Sequence, residues 1–217
     1  MIKSGLILTV NPLDPEPELI KQAAEHACRK IPIIFPTDTV YGIGIAARND
    51  CSLEALYDVK GRDRDKAIPW LVENVNDLNK YGVDVPEFAV LLAKSHWPGA
   101  LTLIVKASAA VPVQFRAQDG SIALRAPDCP ITLALIEELG VPLATSSANF
   151  QGKEPPISFE TIDDALLDKV ELVIDGGACQ KKEASTIVSC LGNVPVIVRQ
   201  GAIPSIVVRM DAMTYDW

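Results

Sequence analysis

No two cysteines of this 217-residue chain stand at metal-binding spacing. The five present, Cys28, Cys51, Cys129, Cys179 and Cys190, are dispersed and odd in number. That pattern argues against a disulfide framework and a structural zinc site. Each thiol reads as a small buried apolar residue. Only two histidines occur, His26 and His96, far apart, so no histidine-based metal centre is expected and no histidine base is evident. No apolar run approaches the roughly 20 residues that cross a bilayer. The first residues, Met1 to Leu8, offer too short an apolar stretch for a secretory signal. A cytoplasmic protein without membrane association is the expectation. Both standard nucleotide fingerprints, G-x-x-x-x-G-K-[ST] and G-x-G-x-x-G, are missing. Cations are outnumbered, 20 Lys and Arg against 28 Asp and Glu, for a net charge of -8. Such a balance disfavours a general nucleic-acid binder, which usually carries a basic face.

What is present supports a sizeable core, with 48% hydrophobic residues. Strand-like segments are expected at residues 6–10, 31–35, 67–72, 101–106, 121–125, 141–144, 171–175, 185–190 and 194–199. Helices are expected at 15–30, at 53–59 with Ser52 as cap, at 86–95, at 131–139 with Asp128 as cap and Gly140 as stop, and at 159–167. Residues 210–217 read as a tail. Strands and helices alternate without a linker or repeat, which predicts one α/β domain spanning 1–217 with a twisted, mixed sheet. Its core would run from about residue 16 to residue 205.

Polar chemistry collects at the ends of these elements, where α/β folds place ligand crevices. Pro36-Thr-Asp-Thr-Val-Tyr-Gly42 follows a buried strand. Lys60-Gly-Arg62-Asp-Arg64-Asp-Lys66 concentrates cations in an acidic chain. Thr145-Ser-Ser-Ala-Asn149 follows another strand, and Arg125, Ser185-Thr186 and Arg199-Gln-Gly201 complete the set. Hydroxyls, one amide and fixed cations suit phosphates and a carboxylate held by charge-assisted hydrogen bonds. Phosphoryl or nucleotidyl transfer asks mainly for such positioning and charge stabilisation. Taken singly, each segment reads more often as a solvated turn or a polar loop. A serine hydrolase using Ser146 or Ser147 lacks a histidine partner.

Taken in order, the segments resemble the YrdC-type threonylcarbamoyl-AMP synthases. The matching residues are Pro36 to Gly42, Lys60-x-Arg62-x-x-x-Lys66, Ser121-Ile-Ala-Leu-Arg125-x-Pro127, Ser147-Ala-Asn149 with Gly152, Ser185-Thr-Ile, and Arg199-x-Gly201. The resemblance implies a single α/β domain with flanking helices and a large concave pocket. It implies formation of threonylcarbamoyl-adenylate and pyrophosphate from L-threonine, bicarbonate and ATP, with Mg2+ carried by the nucleotide. The product serves the N6-threonylcarbamoyl modification at tRNA position 37. Further partners implied are tRNA or the downstream transferase complex. The threonine site falls on Thr39, Arg125, Thr145 and Ser185. The ATP site falls on Arg62, Lys66, Ser121, Ser147, Asn149 and Arg199, and Lys60 and Arg62 take the catalytic positions. The resemblance implies no protein-bound metal.

Three positions depart from the family pattern. Asp63 and Ala67 stand where prolines are usual, and Leu71 stands where some members place a histidine. The extra C-terminal domain of the longer subfamily is not expected. An alternative from another class is a double-stranded RNA or tRNA-binding module using the same groove, which the net charge disfavours.

Overall fold

The computed structural model describes residues 5–29, 31–51, 53–61 and 68–213. Its strands are β1 (Leu6–Thr9), β2 (Ile33–Phe35), β3 (Gly42–Ala46), β4 (Trp70–Leu71), β5 (Leu101–Lys106), β6 (Ser121–Arg125), β7 (Leu143–Ser147), β8 (Leu172–Asp175), β9 (Thr186–Ser189) and β10 (Val196–Arg199). Its helices are α1 (Pro17–Ala27), α2 (Glu54–Lys60), α3 (Asn76–Tyr81), α4 (Glu87–His96), α5 (Pro130–Leu139), α6 (Asp164–Leu167) and α7 (Ser205–Ala212).

The strands form one mixed sheet in the order β1-β8-β2-β3-β7-β4-β6-β5-β9-β10. Both faces are covered, so its central strands are apolar throughout rather than alternating. The pleat still separates the two faces. Ile33 and Phe35 of β2, Leu71 of β4, Leu143 of β7, and Leu172 and Ile174 of β8 join one cluster with residues of α1 and α5. Their strand neighbours Ile34, Trp70, Ala144 and Val173 join the other, with residues of α2, α4 and α7. In that second layer Trp70 meets Tyr81 and Phe115 edge-on, with ring centroids 5.3 and 5.4 Å away. Among the described residues, no helix is long and apolar enough to cross a membrane.

Several sequence expectations need correction. The chain has a strand at β3 and a helix at α3 that were not expected. Strand β7 runs on to Ser147, so Thr145, Ser146 and Ser147 are strand residues and not a following loop. Asp128 is not the cap of α5. Cys129 occupies that position without a side-chain bond, and Pro130 starts the helix with its φ already suited. The stop at Gly140 holds, with the glycine left-handed at φ 64. Residues 159–167 form no single helix. A 3-10 turn, Phe159–Thr161, ends at Ile162, and Asp163 restarts the chain by accepting from the Ala165 amide. The expected tail is helical as far as Ala212, because Val208 of α7 is fully buried and His96 Nε2 of α4 lies 2.8 Å from Asp211 Oδ2. Ser52 lies outside the described residues.

Candidate active site

Arg125 ends β6 with its side chain almost wholly buried. Its Nε donates to Gly99 O at 2.9 Å and its Nη1 to Thr39 Oγ1 at 2.8 Å. Nη2 donates to Asp38 Oδ1 in a close ion pair. Three of the five guanidinium N–H groups are thus committed, and one remains on each terminal nitrogen. Burial pulls the Arg125 guanidinium below its ordinary value, and the Asp38 carboxylate opposes that pull.

The loop leaving β2 that carries Thr39 and Asp38 is pinned from several sides. Thr132 Oγ1 donates to Pro36 O at 2.5 Å, and the Lys181 amide donates to Asp38 O at 2.8 Å. The Tyr41 amide donates to Pro156 O at 2.8 Å, and its hydroxyl donates to Gly177 O at 2.7 Å. Inside the loop the Thr37 hydroxyl donates to Val40 O at 2.7 Å. Its proton is therefore spent, so in the 3.0 Å pair with Thr39 the Thr39 hydroxyl is the donor. Proton directions run one way, from Arg125 through Thr39 and Thr37 to the backbone.

A second group adjoins the first. Ser185 Oγ lies 2.8 Å from Thr102 Oγ1, and Arg199 Nη2 reaches Ser185 O at 2.7 Å and Ser185 Oγ at 3.2 Å. Partial desolvation, then the charge of Arg125, pull the Arg199 guanidinium below its ordinary value. The glycine of Arg199-x-Gly201 has a local reason. A Cβ at Gly201 would come within 2.2 Å of Ala184 O, so only glycine lets this segment lie against Ser185.

Lys60, the last residue of α2, is buried, and its Nζ donates to Ser146 Oγ at 2.9 Å and, more closely, to Ser147 O. Thr145 points to the other side of β7 from Ser146 and is buried against β3. A Cβ on Gly42 would meet Thr145 Cγ2 at 2.8 Å, and one on Gly44 would meet Thr145 Oγ1 at 2.8 Å. The two glycines of β3 are what make room for it.

Register sets where the residues of β6 and β7 lie along their strands. Trp70 of β4 pairs with Leu124 of β6 and Ala144 of β7, and those two strands run in opposite directions. Ser121 and Ser147 therefore lie on one side of that level, and Arg125 and Leu143 lie on the other. Ser121 and Arg125 are separated by four strand residues, about 13 Å. Ser185 precedes β9, whose Thr186 pairs with Leu101 at the Arg125 end. Arg125, Thr39, Ser185 and Arg199 come together through the bonds given above. The Thr39 loop also adjoins Ser147, because Phe35 pairs with Gly42, Gly42 pairs with Ser147, and the Ala148 amide donates to Tyr41 O at 2.8 Å. Arg199, which the resemblance places with the nucleotide residues, bonds Ser185, which it places with threonine.

Asn149 lies just past Ser147. Its Nδ2 donates to Phe150 O at 3.0 Å and Lys153 O at 2.6 Å, so its amide organises the turn at Gly152. It lines a cavity of about 400 Å³ with Phe150, Lys153 and Thr161. A larger cleft of about 630 Å³, lined by Arg48, Trp70, Tyr81 and Pro112 among others, takes none of the predicted residues. Leu71 is core, packed in the cluster that holds Leu143 and Ile131. Arg62 and Lys66, with Asp63, Arg64, Asp65 and Ala67, lie outside the described residues. Asp38, Thr37 and Gly99 were not singled out by sequence. For Asp38 the signal was its place between two hydroxyl residues in the motif after β2.

A mixed sheet that carries a buried arginine and lies beside a buried lysine defines an α/β protein with groups suited to anions. Family comparison makes that class specific. The Sua5/YciO/YrdC family model, described as "Telomere recombination", matches residues 30–201, and the chain belongs to this family. It is 37% identical over 191 residues to the threonylcarbamoyl-AMP synthase of Bacillus subtilis, covering 88% of this chain and 54% of that protein. It is 35% identical over 171 residues to a putative threonylcarbamoyl-AMP synthase of Mycobacterium tuberculosis, covering 79% of this chain and 78% of that one. The crystal structure of P. abyssi Sua5 complexed with L-threonine superposes with a TM-score of 0.89 at 32% identity, over 95% of this chain and 60% of that chain. The chain thus spans little more than half the length of the Bacillus protein and about four fifths of the Mycobacterium one.

Proposed function

We propose that this chain is a threonylcarbamoyl-AMP synthase acting as a single catalytic domain over residues 1–217. The observation that carries the reading is Arg125, buried, fixed by Gly99, Thr39 and Asp38, and still holding two uncommitted N–H groups. Such a guanidinium suits a carboxylate. A relative of the same fold has been crystallised with L-threonine. In this reading Arg125 takes the threonine carboxylate, and Thr39, Thr145 and Ser185 surround its polar groups. The threonine amine and bicarbonate give a carbamate and water. A carbamate oxygen then attacks the α-phosphorus of ATP, and pyrophosphate leaves.

Lys60 would face the phosphates with Arg62 and Lys66, offsetting the charge that grows on the leaving pyrophosphate. Ser121, Ser147 and Asn149 would hold the nucleotide. Arg199, bonded to Ser185, would stand where the two substrates meet. Mg2+ would enter on the nucleotide. A cytoplasmic location and hand-over of the adenylate to a tRNA-modifying transferase belong to the same reading.

Purified chain with ATP, threonine and bicarbonate should release pyrophosphate only when all three are present. Release that does not need threonine would refute the proposal. Steeply salt-dependent RNA binding without turnover would favour the RNA-binding alternative.

A further inference from the structure

Thr186 follows Ser185 at the start of β9, and it is fully buried, so it meets no substrate itself. A threonine hydroxyl has one proton and two lone pairs, and this one uses all three. It donates to Ile203 O at 2.6 Å and accepts from the amides of Gly201 at 3.0 Å and Ile203 at 3.1 Å. The segment it grips begins two residues after Arg199. Arg199 ends β10, which lies at the edge of the sheet and pairs there with β9. The register of that pair slips between Ile197 and Arg199, so the ladder is disrupted where the arginine stands. The end of such an edge strand opens readily, and the ladder alone does not fix the arginine.

The loop after β10 supplies what the ladder lacks. The Ala202 amide donates to Ala184 O at 2.9 Å, and Gly201 is the residue that can lie this close. Gln200 closes the loop on itself, with Nε2 donating to Gly201 O and Ile203 O and Oε1 accepting from the Ser205 amide. Residues 200–203 are thus folded over residues 184–186, and the Arg199 side chain returns onto Ser185 O. The Thr186 amide donates to Ala100 O at 3.0 Å, beside Gly99, which anchors Arg125. One buried residue therefore joins the Arg199 segment to the segment that seats Arg125. We infer that Thr186 is a positioning residue for the nucleotide site: its hydroxyl fixes the backbone that carries Arg199 and so sets where that guanidinium meets ATP. This rests on the reading of Arg199 as a nucleotide residue.

Calorimetric titration of the full chain with Mg2+ and the non-hydrolysable analogue α,β-methylene-ATP tests this. Arg199→Ala should weaken binding at least about tenfold, the low end for a hydrogen bond to a charged group. Thr186→Val keeps the shape without the hydroxyl and should lose nearly as much, whereas Thr186→Ser should restore most of the affinity. Adding Thr186→Val to Arg199→Ala should cost little more, because the two act through one contact. L-threonine should bind Thr186→Val nearly as it binds the wild-type protein. Wild-type nucleotide affinity in Thr186→Val, additive losses in the double variant, or an equal loss for threonine would each overturn the inference while leaving Arg199 in the nucleotide site. Unchanged binding in Arg199→Ala would remove Arg199 from that site and the role of Thr186 with it. Failure of the wild-type protein to bind the analogue would remove the synthase reading as well. Should Thr186→Val not fold, hydrogen exchange of the wild-type protein decides. The Gly201 and Ile203 amides should be protected like those of β9, and fast exchange at both would refute the clasp.

Discussion

Arg125→Met removes one partner of a buried ion pair and leaves the other in place. Asp38 keeps no exposed surface and loses its only side-chain donor. Gly99 O and Thr39 Oγ1 lose their donors at the same time. Breaking such a pair from one side costs about 3–5 kcal/mol. For a chain of this size that corresponds to a fall in melting temperature of about 6–20 °C. The double variant Asp38→Ala/Arg125→Met removes both charges and should recover a large part of the loss, because a pair replaced by apolar groups is often near neutral. Urea unfolding followed by circular dichroism measures both variants, and threonine titration should show no binding in either. The reasoning fails if Arg125→Met unfolds within about 1 kcal/mol of wild type, or if the double variant is less stable than Arg125→Met alone.

Gly44→Ala tests the room left for Thr145. Its Cβ would stand 2.7 Å from Ala144 O and 2.8 Å from Thr145 Oγ1, so β3 or β7 must shift, at about 1–3 kcal/mol. The urea midpoint should fall and threonine affinity should fall with it, whereas wild-type values for both would contradict the packing. Ser121→Ala tests the other end of β6. The Ser121 hydroxyl, and then its amide, hold the Asp119 carboxyl below the usual carboxylate value. A lowered folded value stabilises above the ordinary carboxylate range, and that contribution is lost as pH falls through the folded value. The variant should therefore move the Asp119 titration upward by NMR. Its stability difference from wild type should be present at neutral pH and vanish in acid.

The strands most legible from sequence were those made of β-branched and aliphatic residues between clear breaks. Leu101–Lys106 and Ser121–Arg125 match residue for residue. Gly42–Ala46 was not seen because two of its five residues are glycines, which are depleted in strands for want of a side chain to pack. Here their missing side chains serve the neighbouring strand. Thr145–Ser147 looked like a loop because hydroxyl residues suit turns, and tertiary burial overrode that preference. Helix α7 was hidden because Ile206 and Met210 face solvent and only Val208 is buried, which blurs the helical period. At the site, Arg125, Thr39, Ser185 and Lys60 could be named in advance from their motifs. The pairing of Arg125 with Asp38 could not, since it joins residues 87 positions apart through the way one loop folds back. Nor could the split of Ser121 from Arg125, which follows from strand register alone.

The order of strands carries a consequence for how the chain is made. β2 finds β3 within a few residues, and the two can form a hairpin early in synthesis. β1 has no such neighbour. Its partner is β8, with Leu6 set against Leu172, and β8 also lies against Ile34 of β2. Until about four fifths of the chain has left the ribosome, one edge of β2 and the whole of β1 lack the strand that closes them. Closing so long a loop is slow, and open strand edges invite pairing with other chains. A chain stalled or cut before Leu172 would keep every residue of the Arg125–Asp38 pair and still expose those edges, making it a substrate for chaperones and proteases rather than a smaller enzyme.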